Sequence, residues 1–177
     1  MPDPIQCREA LYRKVVCTSF EETLGVHDME LINYVVRMLC GFSRAEELYK
    51  LRDSHGRSIE ELEEMLRAAD PVFGTASSFE AERVARRLIG DYALYVAGMF
   101  PEATLRGPYS QPSLGELIRV GKESYFIVSL FRQGEYAAES KLYARLSEAF
   151  ERCVLGLALV RDKLTPEQML PRPVCVR

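Results

Sequence analysis

Three stretches of this chain consist almost wholly of apolar residues and tyrosine, and no other feature restricts the fold as strongly. They occupy residues 92–100, 125–131 and 153–160. A helix that is apolar on every side has to be surrounded by something other than water. A membrane-spanning helix, however, needs about 18 to 20 apolar residues in succession. We therefore predict three helices that are enclosed by protein, and no association with a membrane.

Each of these helices also carries an interior glycine. Glycine within a helix costs about 1 kcal/mol relative to alanine, so it usually persists where two backbones, or a backbone and a ligand, come close together. The glycines therefore predict close packing between helices. They are Gly90, Gly98, Gly121 and Gly156.

Three arrangements would enclose the apolar helices. They could cross one another in a central core, one of them could be buried against a second copy of the chain, or they could line a pocket for a small hydrophobic or aromatic ligand. Tyrosine favours the last two slightly, because a buried hydroxyl needs a partner and tyrosine is common at interfaces. The candidate ligand or interface residues are Tyr92, Tyr95, Met99, Phe100, Tyr125 and Phe131.

Signals for helix starts recur along the chain, and signals for strands do not. In a capping box, a serine bonds the backbone of the first turn and an acid three residues later bonds back to the serine's own amide. Asp28, and Thr165 before Pro166, are further predicted caps. The capping boxes pair Ser43 with Glu46, Ser58 with Glu61, Ser77 with Glu80, and Ser113 with Glu116.

Together these signals predict an all-α protein, an irregular helical bundle of six to seven helices. The length of 177 residues fits one compact domain over 1–177, with a short flexible C-terminal tail over 171–177. The predicted helices cover residues 6–16, 28–40, 44–52, 59–69, 79–100, 114–133 and 137–163.

Composition argues against several classes of function. A net charge of -3 makes nucleic-acid binding an unfavoured role, because proteins that hold phosphates usually carry a basic surplus. The N-terminal residues lack the pattern of a secretory signal, so we expect a cytoplasmic protein. Two histidines and five cysteines without a C-x-x-C pair predict no metal site and no cofactor.

The acidic residues provide no clear catalytic pair. Arg87 and Asp91 are four residues apart on a predicted helix, a spacing that suits an ion pair at the surface. An enzymatic function would gain support only if Asp91 or a neighbouring acid were buried in a cleft with an unpaired carboxylate. No nucleophile or phosphate-binding motif is complete, so the chain leans away from catalysis.

The function favoured by the sequence is a non-enzymatic interaction or regulatory module. We expect it to self-associate, as a dimer, through an apolar helix face with tyrosine and phenylalanine as anchors, and a separate protein partner is a further option. The alternative is a helical pocket protein that binds a small hydrophobic or aromatic ligand. An enzyme of unrecognised type is the third interpretation.

Overall fold

The structure is a computed structural model, and it describes residues 4–44, 50, 55, 61–105 and 112–172. These residues form seven α-helices and no strands, which confirms the predicted all-α bundle. Short π- or 3-10-helical turns at Thr18–Thr23, Pro101–Leu105 and Pro166–Gln168 complete the regular structure. The helices are α1 (Pro4–Cys17), α2 (Met29–Phe42), α3 (Leu62–Ala69), α4 (Phe79–Met99), α5 (Leu114–Ser129), α6 (Tyr136–Glu148) and α7 (Phe150–Lys163).

Helix α4 occupies the centre of the bundle, where it packs mainly between α5 and α7. Every residue from 92 to 100 is buried within this one chain. The second apolar stretch, on α5, and the third, on α7, each keep part of their surface exposed. Of the three arrangements that the sequence left open, the central core therefore accounts for α4.

The four glycines lie where these helices approach most closely. A Cβ atom on Gly90 would lie 2.5 Å from the ring of Tyr125, which is far inside van der Waals contact. Equivalent atoms on the other three would overlap side chains of neighbouring helices or turns. Those contacts join Gly98 to Leu157, Gly121 to Phe150, and Gly156 to Phe20.

The helix starts agree with the predicted caps in part. Asp28 accepts hydrogen bonds from the amides of Glu30 and Leu31, and Ser113 caps α5 as predicted. The cap of α4 is Ser78, one residue later than the predicted Ser77. Thr165 is the N-cap before Pro166 as predicted, its amide donates to the side chain of Gln168 at 3.0 Å, and the element that follows is a single 3-10 turn.

In the first half of the chain, one helix begins later than predicted and another predicted helix lies mostly outside the described residues. Helix α3 begins at Leu62, and the extended backbone of Glu61 takes the N-cap position. The predicted start at residue 59, with Glu61 inside the first turn, is therefore wrong. The predicted helix at 44–52 and the Ser43–Glu46 capping box fall largely outside the residues that the structure describes.

The predicted seventh helix, 137–163, is two helices that meet at Ala149. Neither proline nor glycine marks the break, so the cause lies in tertiary packing. Phe150, directly after the break, is fully buried in the core against Gly121 and 5.8 Å from the ring of Tyr125. The preceding helix is also shorter than predicted, since α5 ends at Ser129 and Gly134 adopts a positive φ of 58° in the connection.

The start of the predicted tail is held against the body. The hydroxyl of Tyr95 donates to the carbonyl of Pro171 at 2.6 Å. Arg172 forms an ion pair with Glu102 at 3.0 Å and lies over the ring of Phe100. Residues 171 and 172 are therefore part of the folded unit, and residues 173–177 lie outside the described part.

Among the described residues, no helix combines the length and the apolar character needed to cross a membrane. The second half of α4 is the most enclosed segment, but charged residues occupy its first half.

Candidate functional site

A cleft of about 520 Å³ opens between α2, α4 and α6. Helix α2 lines the cleft with residues between Glu30 and Phe42. These residues recur at spacings of three and four, which places them on one face of the helix. Helix α6 contributes a second stripe that ends at Leu142 and Tyr143, and α4 contributes Arg87, Leu88 and Asp91.

Asp91 lies within this cleft and is held by two tyrosines from different helices. The hydroxyl of Tyr34, on α2, donates to Oδ1 of Asp91 at 2.5 Å. The hydroxyl of Tyr125, on α5, donates to the same oxygen at 2.8 Å. Because both bonds converge on Oδ1, the carboxyl group is fixed in orientation, and Asp91 retains partial exposure to the cleft.

The tyrosines are themselves supported by an aromatic cluster. The ring of Tyr34 meets that of Tyr143 edge to face at a centroid distance of 5.5 Å, and that of Tyr125 at 6.2 Å. The rings of Tyr125 and Tyr143 are 5.7 Å apart. Such geometry is favourable for aromatic pairs and leaves little freedom at each ring, so the hydroxyl donors are preorganised around Asp91.

Burial raises the pKa of Asp91 from its ordinary value to about 6. Hydrogen bonds from Tyr34 and Tyr125, and the positive charges of Arg87 and Lys50, act in the opposite direction but only partly offset the loss of hydration. Burial, together with the charge of Asp91, raises the pKa of both tyrosines well above its usual value. The tyrosines thus stay protonated donors, while the carboxyl group changes charge close to neutral pH.

Basic side chains surround this carboxyl group. Arg87 lies one turn before Asp91 on α4, and Arg37 and Lys50 also line the cleft. Burial alone would lower the pKa of Arg87, but the neighbouring Tyr143 and Asp91 outweigh that effect and raise it. The predicted surface ion pair between Arg87 and Asp91 is not formed; the carboxylate is instead bonded by tyrosines across the helix interface.

Two acids at the rim of the cleft are engaged by arginines outside it. Glu139 forms an ion pair with the buried Arg83 at 2.5 Å, and Arg83 lies over the ring of Tyr136. Glu30 is bonded by Arg145, which also reaches Asp28 at 2.6 Å. These pairs fix the ends of α2 and α6 that define the cleft.

The pKa of Asp28 is shifted in the opposite direction to the pKa of Asp91. Burial would raise its pKa, but hydrogen bonds from the amide of Leu31 and from Arg145 outweigh burial and lower the pKa below its ordinary value. Its carboxylate therefore stabilises the fold in the charged form, both as the cap of α2 and as a partner of Arg145.

Five of the six candidate residues from the sequence are buried in the core: Tyr92, Tyr95, Met99, Phe100 and Tyr125. Phe131 is partly exposed. The cleft is lined by none of the expected wall residues, since Tyr92, Tyr95 and Met99 pack against neighbouring helices and Tyr125 lies behind Asp91. The cleft also differs in character from the expected apolar pocket, because charged groups line it.

Sequence reasoning missed the partners of Asp91, although one clue was present. Asp91 is the only charged residue between positions 88 and 100, and a lone acid beside an apolar stretch needs hydrogen-bond partners once it is buried. Tyr34 occupies a similar place, within an apolar run on α2. The sequence contains no indication that these residues, together with Tyr143, meet in space.

No group of three or more histidine, cysteine, aspartate or glutamate residues in the described ranges lies close enough to hold a metal ion. Chemically, the cleft offers a carboxyl group poised to exchange a proton near pH 6, hydroxyl donors beside it, and arginine and lysine side chains around it. Such a site can bind a small molecule through both polar and apolar groups.

Comparison with known proteins adds no assignment, because no family model, no curated protein and no solved structure matches this chain.

Proposed function

We propose that this protein binds a small molecule in the cleft between α2, α4 and α6. The observation that carries the proposal is the carboxyl group of Asp91, which lines a cleft of about 520 Å³ and is fixed by two tyrosine hydroxyls. Ligand sites in proteins commonly have volumes of roughly 300–1,000 Å³ and a few preoriented polar groups among apolar ones.

The energetics of Asp91 support a binding role. The pKa of about 6 indicates that burial disfavours the charged form of Asp91. A carboxyl group at this position therefore costs stability, and a purely structural interior would not require it. Groups with such displaced pKa values are concentrated at functional sites. The aromatic cluster contributes rigidity, so a ligand would meet its partners without ordering them first.

Gly41 provides a direct way to test the cleft. It lines the cleft near the end of α2, and a Cβ atom placed on it would contact nothing within 4 Å. We expect Gly41→Leu to fold normally, since leucine is the better helix former, and to narrow the cleft so that binding is lost. The measurement is ligand-observed NMR with a fragment library, together with native mass spectrometry for a co-purifying molecule.

The matched control is Gly115→Leu. Gly115 also has open space around it and lies in the first turn of α5, away from the cleft. Fragments that bind the wild type and Gly115→Leu, but not Gly41→Leu, would support the proposal. A wild-type protein that binds no fragment and retains no molecule, or equal binding by all three proteins, would refute it.

We propose self-association as a second candidate function, because one observation favours it. Phe126 lies in the last turn of α5 and Leu130 is its C-cap, four residues later and still helical in backbone, and their exposed fractions are 54% and 52%. They therefore share one face of the helix, within the apolar stretch 125–131. This face has the composition expected for an interface anchor, although it comprises different residues from those chosen from the sequence.

Leu130→Lys is expected to convert a dimer into a monomer, because burying an unpaired ammonium group in an interface is strongly unfavourable. The molar mass is measured by size-exclusion chromatography with light scattering at micromolar concentration. Leu155→Lys is the control, since Leu155 on α7 is similarly exposed, at 59%. A monomeric wild type, or a dimer that persists in Leu130→Lys, would exclude this interface.

A further inference from the structure

We propose that the ligand of the cleft is a small anion with an apolar or aromatic body, such as an aromatic carboxylate, and that Arg37 binds its negative charge. This inference rests on the proposed binding function and adds the chemical class of the ligand. It is carried by the distribution of charge in the cleft and by the position of its apolar residues.

One basic group that lines the cleft is open to a ligand. Arg37, Lys50 and Arg87 line the cleft. The two rim acids, Glu30 and Glu139, already have arginine partners outside the lining, so they are poor partners for a cationic ligand. The charge of Arg87 is offset by Asp91, one turn later on α4, so the open basic group that an incoming anion meets is Arg37.

Arg37 is an accessible basic group of the cleft. It is exposed, and within the part of the chain that the structure describes it forms neither an ion pair nor a hydrogen bond. It follows Tyr34 by three residues on α2, so the two side chains share one face, about 4.5 Å apart along the helix axis. A planar guanidinium group with open donors is well suited to a carboxylate, which it can bind through two parallel bonds.

The negative charge of Asp91 is offset by Arg87 and lies away from the mouth of the cleft. Its Oδ1 is saturated by two hydroxyl donors, and it lies deeper in the cleft than the exposed Arg37. An anion bound at Arg37 would therefore approach from the mouth, and a hydrogen-bond donor on the same ligand could reach the carboxyl group of Asp91. The arrangement favours a molecule with its charge at one end.

The body of the ligand has an apolar surface to contact. Met38 and Phe42 on α2, Leu88 on α4 and Leu142 on α6 contribute side chains from three directions. Met38, Phe42 and Leu142 are only 6–8% exposed and Leu88 is partly buried, so a flat or aliphatic group would contact their remaining surface without having to order them first. Polar contacts at one end and apolar ones along the body are the usual composition of a small-molecule site.

The test compares three probes of equal shape and different charge: naphthalene carboxylate, its neutral carboxamide and the cationic aminomethyl analogue. Binding to the wild type is measured by isothermal titration calorimetry at pH 7. We expect the carboxylate to bind about tenfold more tightly than the carboxamide, because a charge-assisted hydrogen bond is worth that much. The cation is expected to bind most weakly.

Arg37→Gln is expected to remove the preference for the carboxylate and leave the affinity for the carboxamide unchanged. Arg119→Gln is the control, because Arg119 is an exposed arginine on α5 away from the cleft. Equal affinity for the carboxylate and the carboxamide, tightest binding of the cation, absence of binding by all three probes, or a preference that survives in Arg37→Gln would each overturn the inference. The Gly41→Leu experiment decides the binding function separately, so the two failures can be told apart.

Discussion

Gly121→Leu is expected to lower the free energy of unfolding by about 3 kcal/mol, at the upper end of the cost of overfilling a packed core. The Cβ atom alone would overlap the ring of Phe150. That ring is fully buried and lies next to Tyr125, so it has nowhere to move without disturbing the aromatic cluster. The higher helix propensity of leucine relative to glycine offsets at most about 1 kcal/mol of this loss.

Urea denaturation followed by circular dichroism measures this difference. Gly115→Leu adds the same side chain to the same helix at a position with open space, and we expect it to be neutral or slightly stabilising. The pair therefore separates overlap in the core from any general effect of leucine on α5. Equal stability of the two variants would mean that α5 and α7 are not as closely packed at Gly121 as the structure indicates.

The helices could be predicted because their causes are local. Asp28 and Ser113 cap helices through bonds to amides two or three residues away, and a sequence pattern records such spacing directly. The predicted cap of α4, Ser77, is wrong by one residue. Serine at either position can cap a helix, so the local pattern does not separate Ser77 from Ser78, and the structure has Ser78 as the cap.

The break at Ala149 could not be predicted, because its cause is distant in sequence. Residues from 137 to 163 have continuous helix-forming character, with one glycine and no proline before the end of α7. Directly after the break, Phe150 packs against Gly121, a contact that no neighbouring residue predicts. Tertiary packing of this kind overrides local propensity and leaves no pattern in the surrounding residues.

The candidate site was missed for the same physical reason. Its central contacts join Tyr34 to Asp91 over 57 positions and Tyr125 to Asp91 over 34. Each residue taken alone is ordinary for the face of an amphipathic helix. The interior Gly90 predicts close packing but does not identify its partner, which is the ring of Tyr125, packed against the backbone one residue before Asp91.

Asp91→Asn is expected to stabilise the protein by about 2–3 kcal/mol at pH 8, and this gain should disappear as the pH falls towards 4. The folded protein raises the pKa of Asp91 from 3.8 to about 6, and each unit corresponds to about 1.4 kcal/mol. Above pH 6 the folded state holds an ionised carboxylate that the unfolded chain would hydrate better. As the pH falls from 6 to 4, the folded state takes up the proton first, so wild-type stability rises.

The measurement is urea denaturation of wild type and variant at several values between pH 4 and pH 8, with the difference in unfolding free energy taken at each. Groups whose titration is the same in both proteins cancel in that difference. The charged and titratable groups that line the cleft around Asp91 or bond to it are Glu30, Tyr34, Arg37, Lys50, Arg87, Tyr125, Glu139 and Tyr143.

Asp28→Asn is the matched control, and its pH dependence should have the opposite sign. Asparagine keeps the capping bonds of α2 but loses the charge that pairs with Arg145. Because the pKa of Asp28 is lowered in the fold, its carboxylate adds stability at neutral pH and that contribution vanishes in acid. If Asp91→Asn were instead destabilising at pH 8, the tyrosine hydroxyls would be stabilising the charged carboxylate by more than burial costs. Asp91 would then be a structural anchor of the core, and the case for a site that changes its protonation near neutral pH would fail.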